Sequence, residues 1–251
     1  EIHERLVGSE MCIRDRGIFI SILISSTIRP FPYPSRPSLF RERAGTHSFT
    51  GSNRIINLFY PIMKESIFSF FNAPITNQVP NGVVCVSQLH AYITTSEWLR
   101  ERTDQVRAAS GDEKRFRRLK QSLLPYVTPA GIFSYRKEDH LLVPSGEFVI
   151  DIDHLSSPEE AICWRDTLFA DERLRPDLSF VSPSTTGIKL LVPYRLSIKK
   201  TVEESFDEAV RFAWEYLEWK YGLKADTTNA DLSRACFLCH DPSARLGDRN
   251  R

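Results

Sequence analysis

Read along the chain, the spacing of apolar and polar positions changes period several times, and each change marks an element. The run Ser66-Ile-Phe-Ser-Phe-Phe-Asn-Ala-Pro-Ile75 predicts a first strand broken at Pro74. Ser96 is placed to cap a helix that runs to about Ala109 and stops at Ser110-Gly111. Phe116, Leu119 and Leu123, spaced by three and four, predict a second helix from Asp112 to Leu124, ended by Pro125. Tyr126 to Gly131 reads as a turn-rich loop leading into a strand over Ile132 to Tyr135. A stronger strand follows at Phe148 to Asp153.

The second half alternates in the same way. Ser157 as N-cap, Pro158 at the first helical position and Glu160 in the first turn open a helix. Leu178 to Ser182 and Ile188 to Val192 read as strands of a hairpin joined by Pro183-Ser-Thr-Thr-Gly187. Thr201 and Glu204 make a capping box, Phe206, Ala209, Val210, Ala213 and Leu217 share one helix face, and Gly222 suits the C-terminal cap. The aromatics Phe212, Trp214, Tyr216, Trp219 and Tyr221 of this helix read as core and flank. Arg234 to Cys239 predicts a closing strand. Hairpins and helices without a repeating βαβ rhythm give an α+β fold, a sheet with helices on one side.

Composition narrows this picture only modestly. A chain of 251 residues, 41% apolar, can build one large domain or two small ones. A net charge of +1 excludes a global electrostatic signature of nucleic-acid or membrane binding. Five scattered cysteines make no disulfide framework and fit a reducing cytoplasm. The first 62 residues hold eight arginines and no lysine, and they lack clean periodicity. Within them Leu6-Val-Gly-Ser-Glu-Met-Cys-Ile-Arg-Asp-Arg16 resembles translated adaptor or vector sequence. Residues 1–62 are therefore expected to be a non-native or disordered leader, with the native protein starting at Met63. The competing reading, a signal peptide with Arg14 and Arg16 before the apolar stretch 17–25, lacks a clear cleavage site, and that stretch is too short to span a bilayer.

Candidate chemistry begins at Gly146-Glu-Phe-Val-Ile-Asp-Ile-Asp153. Side chains two apart on a strand share a face, roughly 6.5 to 7 Å from one another, so Asp151 and Asp153 can share a divalent cation. Carboxylates at the end of so apolar a strand need a cation or an arginine to offset their charge. A second element, Ser182-Pro-Ser-Thr-Thr-Gly-Ile-Lys189, gathers hydroxyls, a glycine N–H and a lysine, the donors that phosphate oxygens require. A third, Asp226-Thr-Thr-Asn-Ala-Asp-Leu-Ser-Arg234, adds carboxylates and an arginine able to fork onto phosphate. Lys114, Arg115, Arg117, Arg118 and Lys120 form a basic stripe that suits either solvent or a phosphate backbone.

The order of these three elements resembles the archaeo-eukaryotic primase superfamily. More narrowly, Leu119-Lys-Gln-Ser-Leu-Leu-Pro125, Thr128-Pro-Ala-Gly-Ile-Phe133, the Asp-Ile-Asp strand, the Ser-Pro-Ser...Gly-Ile-Lys hairpin and Asp231-Leu-Ser-Arg-Ala-Cys-Phe-Leu238 look like the VirE N-terminal domain family of bacterial mobile elements and phages. The resemblance covers about residues 64–245. It implies a primase-polymerase-like domain over 63–251, an RRM-like catalytic core with an antiparallel or mixed sheet and flanking helices, truncated ahead of a helicase region. It implies nucleotidyl transfer in replication, with Asp151, Asp153 and Asp226 holding Mg²⁺ or Mn²⁺, and Asp231 as a rival third ligand. Ser182, Ser184, Gly187, Lys189 and Arg234 are then expected at the nucleotide phosphates. Lys189 departs from the family's histidine. The implied partners are a single-stranded nucleic-acid template and nucleoside triphosphates, with a helicase on other sequence and no membrane. No Gly-x-x-x-x-Gly-Lys-Ser/Thr loop is present to supply an ATPase in this chain.

Other readings compete. A catalytically inactive nucleic-acid-binding module with the same fold is the alternative, and a metal-dependent nuclease is a third. Cys236-Phe-Leu-Cys239-His240 has the spacing of a haem attachment or half a zinc site, but no second Cys-x-x-Cys accompanies it. His154 follows the acidic pair and suits a capping or surface role as well as a metal. His90, His140, Cys85 and Cys163 read as structural.

Overall fold

The computed structural model describes residues 65–227 and 231–248. The expected leader at 1–62, the apolar stretch at 17–25 and the start at Met63 lie outside the described residues.

In chain order the elements are β1 (Ile67–Phe71), β2 (Gly82–Cys85), α1 (Val86–Thr95), α2 (Glu97–Arg107), α3 (Glu113–Leu123), β3 (Tyr126–Thr128), β4 (Gly131–Phe133), β5 (Leu141–Pro144), β6 (Glu147–Ile152), α4 (Pro158–Phe169), β7 (Leu178–Val181), β8 (Ile188–Pro193), α5 (Val202–Tyr221), β9 (Cys236–Phe237) and β10 (Arg245–Leu246). Local chemistry sets the helix ends where sequence places them. The Ser96, Asp112, Ser157 and Thr201 side chains accept from the backbone N–H three residues on. Gly222 closes α5 in the left-handed conformation, with φ of 66°.

The fold is α+β, built on antiparallel sheets with five helices among the described residues. The single sheet with helices on one side is corrected to two four-stranded sheets, ordered β2-β1-β3-β9 and β10-β7-β8-β6, plus the β4-β5 hairpin. Residues 126–128, expected in a loop, instead form β3 between β1 and β9. Its Tyr126, Val127 and Thr128 are fully buried, and that burial together with pairing on both edges outweighs the local turn signal of Pro129 and Gly131. Strands β2 and β5 and helix α1 were not anticipated, because they are short or run into one another without a cap signal.

Two apolar clusters explain the layering. One joins Phe68 and Val127 of the first sheet to Val149, Phe180 and Leu191 of the second, with Leu89, Leu99 and Val106 from α1 and α2. The other packs Phe148, Ile150, Ile152, Ile188, Leu190 and Val192 against Ala161 and Leu168 of α4 and Phe206, Val210 and Leu217 of α5. The second sheet is therefore covered on both faces, which is why β6 and β8 read as nearly continuous apolar runs. Each fully buried Phe, Ile or Leu here contributes ~1.5–3 kcal/mol. Alternation along β6 then decides the site. With Phe148, Ile150 and Ile152 turned toward the helices, Asp151 shares the opposite face with Val149, and across the sheet Lys189 shares that face with Leu191.

The aromatics of α5 divide as core and flank: Tyr216 is buried, whereas Phe212 and Trp219 face solvent.

Candidate metal and phosphate site

The β6–β8 register sets Asp151 directly opposite Lys189. Their side chains meet in an ion pair, and both are nearly buried, 12% and 9% exposed. Burial works against the Lys189 charge, but the adjacent Asp151 carboxylate outweighs it and leaves the pKa above the usual lysine value.

Asp153 stands just beyond the end of β6, followed by His154 in the left-handed region at φ 62°. The turn is tied to the β7–β8 loop by a hydrogen bond from Leu155 N to Thr186 O, 2.8 Å. That loop comprises residues 182–187, one more than the hairpin read from sequence, because β7 ends at Val181. It is closed by Ser182 N to Gly187 O at 2.8 Å and Thr185 N to Ser182 O at 3.0 Å, with Thr185 left-handed at φ 67°. Gly187 leaves room for no side chain: a Cβ there would lie 2.5 Å from Asp153 Oδ1, 2.8 Å from Ile152 O and 2.8 Å from Ser182 Oγ. The Ser182 and Ser184 hydroxyls are hydrogen-bonded to each other at 2.8 Å.

Asp226 arrives from the segment after α5, where its backbone N–H donates to the carbonyl of Asp151 at 2.8 Å. One ligand oxygen each from Asp151, Asp153 and Asp226 lies within 4.8 Å of the others. Arg234 Nη2 donates to Asp226 Oδ2 at 3.0 Å and lies 3.8 Å from Asp151 Oδ2, while Nη1 donates to the Asp226 carbonyl at 3.1 Å. Loss of water, then the neighbouring Asp151 charge, raises the pKa of Asp153 even though the residue as a whole is exposed.

The donor set fits a hard divalent cation. All three groups are carboxylates, as Mg²⁺ and Mn²⁺ prefer. Asp151 Oδ1 is buried with no hydrogen-bond partner, an orphaned anionic oxygen of the kind that a cation satisfies.

Of the residues singled out by sequence, Asp151, Asp153, Asp226, Lys189, Arg234, Ser182 and Gly187 come together here, and Ser184 joins through Ser182. Asp231 does not join the carboxylate group. Its Oδ1 accepts from Ser233 Oγ at 2.8 Å and its carbonyl from Arg234 N at 3.1 Å, forming the turn that aims Arg234. Cys236 and Cys239 are both buried, with thiols pushed up by burial to about 11 and about 12, and Cys239 donates to Val181 O. Protonated thiols of this kind are poor metal ligands. His90 and His140 serve structural hydrogen bonds, to Ala244 O and Ser134 Oγ.

The basic stripe divides. Lys114, Arg115, Arg117 and Arg118 are exposed, but Lys120 is half-buried, with Nζ 5.5 Å from the centre of the Phe237 ring and its charge felt by Lys189, Asp153 and Asp151. It belongs to the site, and a signal was present in the sequence: Lys120 lies four residues after Phe116, at the edge of the apolar face of α3.

A family model described as BT4734-like, N-terminal domain matches residues 118–245, that is 128 of the 251 residues and every site residue named above. The VirE N-terminal domain assignment expected from the motifs is thereby corrected, since the family whose model matches this span is a different one. No curated protein and no solved structure matches the chain. No helix among the described residues is long and apolar enough to cross a membrane.

Proposed function

The chain belongs to the BT4734-like N-terminal domain family; from the chemistry of its charged site we propose that it is a primase-polymerase-like nucleotidyltransferase acting in the replication of a mobile element or phage. The observation that supports this reading is the carboxylate triad, with ligand atoms within 4.8 Å, paired with Lys189 at Asp151 and with Arg234 at Asp226. Acid and cation groups interleaved in this way suit a substrate that is itself metal plus polyphosphate. Asp151, Asp153 and Asp226 would hold Mg²⁺ or Mn²⁺. A bound divalent pair supplies Lewis-acid activation of an attacking 3′-hydroxyl and stabilises the pyrophosphate that leaves as the new bond to the α-phosphorus forms.

The chain's own groups then do the rest. Arg234, held by the Asp226 carbonyl and carboxylate, presents a planar fork to phosphate oxygens. Lys189 supplies a second positive charge, and the loop at 182–187 supplies hydroxyls and backbone N–H groups. The primase-like fold, a single-stranded template and a helicase partner form part of the same reading.

A second reading keeps the fold and the nucleic-acid binding without the chemistry. It is favoured by one observation, that Lys189 is engaged by Asp151 rather than free for phosphate.

The test is nucleotide incorporation by the full chain on single-stranded DNA with Mg²⁺ or Mn²⁺, against an Asp151→Ala/Asp153→Ala control. Metal-dependent extension that disappears in the control supports the transferase. Absence of incorporation in both, with DNA still bound, leaves the binding module.

A further inference from the structure

Lys120 is the one residue of the charged centre that neither the acidic strand nor the hairpin nor the Asp226–Arg234 segment contributes. It comes from the last turn of α3 and stands over the Phe237 ring of β9, at 5.5 Å from Nζ to the ring centre. Its situation differs from that of the other two cations. Lys189 is already paired with Asp151, and Arg234 with Asp226. The Lys120 ammonium makes no hydrogen bond and no ion pair among the described residues. Loss of water and then repulsion by Lys189 depress its pKa, and the pull of Asp153 and Asp151 does not make up the difference.

A half-buried ammonium with no carboxylate in ion-pair contact, beside two cations that each already hold one, is a place for an anion. The ligand's charge follows from the formal charges around it. The three carboxylates are balanced by Lys120, Lys189 and Arg234, so divalent ions entering the triad leave the centre positive and in need of a polyanion. A lone phosphate diester of a nucleic-acid backbone carries too little charge to restore the balance, whereas a triphosphate accompanied by its divalent ions enters as a nearly neutral set. The cation–π contact with Phe237 holds the ammonium over that ring.

We propose that Lys120 is a third phosphate-binding cation of this site, contacting the triphosphate of the incoming nucleotide and not the template backbone. The proposal rests on the nucleotidyl-transfer reading above. It separates Lys120 from Lys114, Arg115, Arg117 and Arg118, which stay in solvent on the same helix.

The test measures equilibrium binding of two probes to the full chain in Mn²⁺: a fluorescent, non-hydrolysable nucleoside triphosphate and a single-stranded oligonucleotide. Lys120→Met keeps the aliphatic stem over Phe237 and removes the charge. Lys120→Arg keeps the charge and controls for packing. A charge-assisted hydrogen bond lost to Met weakens triphosphate binding about tenfold, Arg restores most of it, and oligonucleotide affinity changes less than about twofold. Wild-type and Lys120→Met chains that bind triphosphate equally would overturn the proposal, as would a variant that loses oligonucleotide affinity alone. A wild-type chain that binds no triphosphate overturns the nucleotidyl-transfer reading itself, and the proposal with it. Near-equal melting temperatures for the three chains confirm that the comparison is of folded protein.

Discussion

Asp226 is hydrogen-bonded to Asp151 through the backbone: its N–H donates to the Asp151 carbonyl at 2.8 Å, although the two are 75 residues apart in the chain. The bond brings a carboxylate from the segment after α5 to the edge of β6, and Arg234 fastens the same residue from the other side. The third carboxylate is thus positioned by main chain and guanidinium, without being a strand residue itself.

Asp151 and Asp153 are expected to respond oppositely to neutralisation. Asp151→Asn strips the buried Lys189 of its counter-ion and should destabilise the protein by about 3 kcal/mol. Asp153→Asn removes a charge that loss of water and then the Asp151 carboxylate disfavour, and should leave the melting temperature unchanged or slightly higher. Both should lose Mn²⁺ affinity. Thermal unfolding with and without Mn²⁺ checks this, and equal destabilisation by the two variants would contradict it.

Gly187→Ala tests the close approach of the hairpin loop to the acidic pair. A methyl group placed 2.5 Å from Asp153 Oδ1 and 2.8 Å from the Ile152 carbonyl must push the loop away, at about 1–3 kcal/mol. Mn²⁺ affinity should fall at least about tenfold, a loss of roughly 1.4 kcal/mol or more. Titration calorimetry on a variant shown to be folded gives the answer, and unchanged affinity would refute the expectation.

Acid sensitivity should centre on Asp171, far from the triad in sequence. Its carboxylate accepts from Lys220 Nζ at 2.7 Å, Tyr221 OH at 2.6 Å, Tyr216 OH at 2.9 Å and the N–H groups of Arg173 and Leu174 at 2.8 Å each. Burial raises its pKa, but the hydrogen bonds, led by that from Lys220, outweigh burial and hold it well below the usual carboxylate range. A depressed carboxylate pKa contributes stability that is present above the unfolded value and disappears as pH falls through the folded one. Asp171→Asn should therefore cost about 3 kcal/mol near neutrality. The gap to wild type should narrow as pH drops below about 4 in urea unfolding. A gap independent of pH would show that the charge is not what matters.

Arg165 is 1% exposed and reaches Asp241 Oδ2 at 3.3 Å and Ser243 Oγ at 2.5 Å, while Asp241 Oδ2 also accepts from Val181 N at 2.8 Å. This pins the segment around 241–246 to α4 and β7. Arg165→Met leaves Asp241 buried and uncompensated, for a loss of about 3–5 kcal/mol. Adding Asp241→Asn should recover part of it. A double variant as unstable as the sum of the two single ones would argue against coupling.

What the sequence by itself determined was whatever depends on near neighbours. The caps Ser96, Asp112, Ser157 and Thr201, the αL Gly222 and the β7–β8 hairpin all follow from contacts within a few residues, so they were legible. The pairing of Asp151 with Asp153 was legible for the same reason, since alternation along one strand sets it. Tertiary structure alone decided the split into two sheets and the conversion of Tyr126–Thr128 from loop to central strand, because each depends on which distant edge supplies the hydrogen bonds. It also set Asp226 and not Asp231, five residues on in the same segment, beside the acidic pair, through a backbone bond to Asp151 that no local pattern encodes. Lys120 shows the same division: helical spacing put it at the edge of the apolar face, and only the packing of α3 beside β9 turned that edge toward the acidic centre.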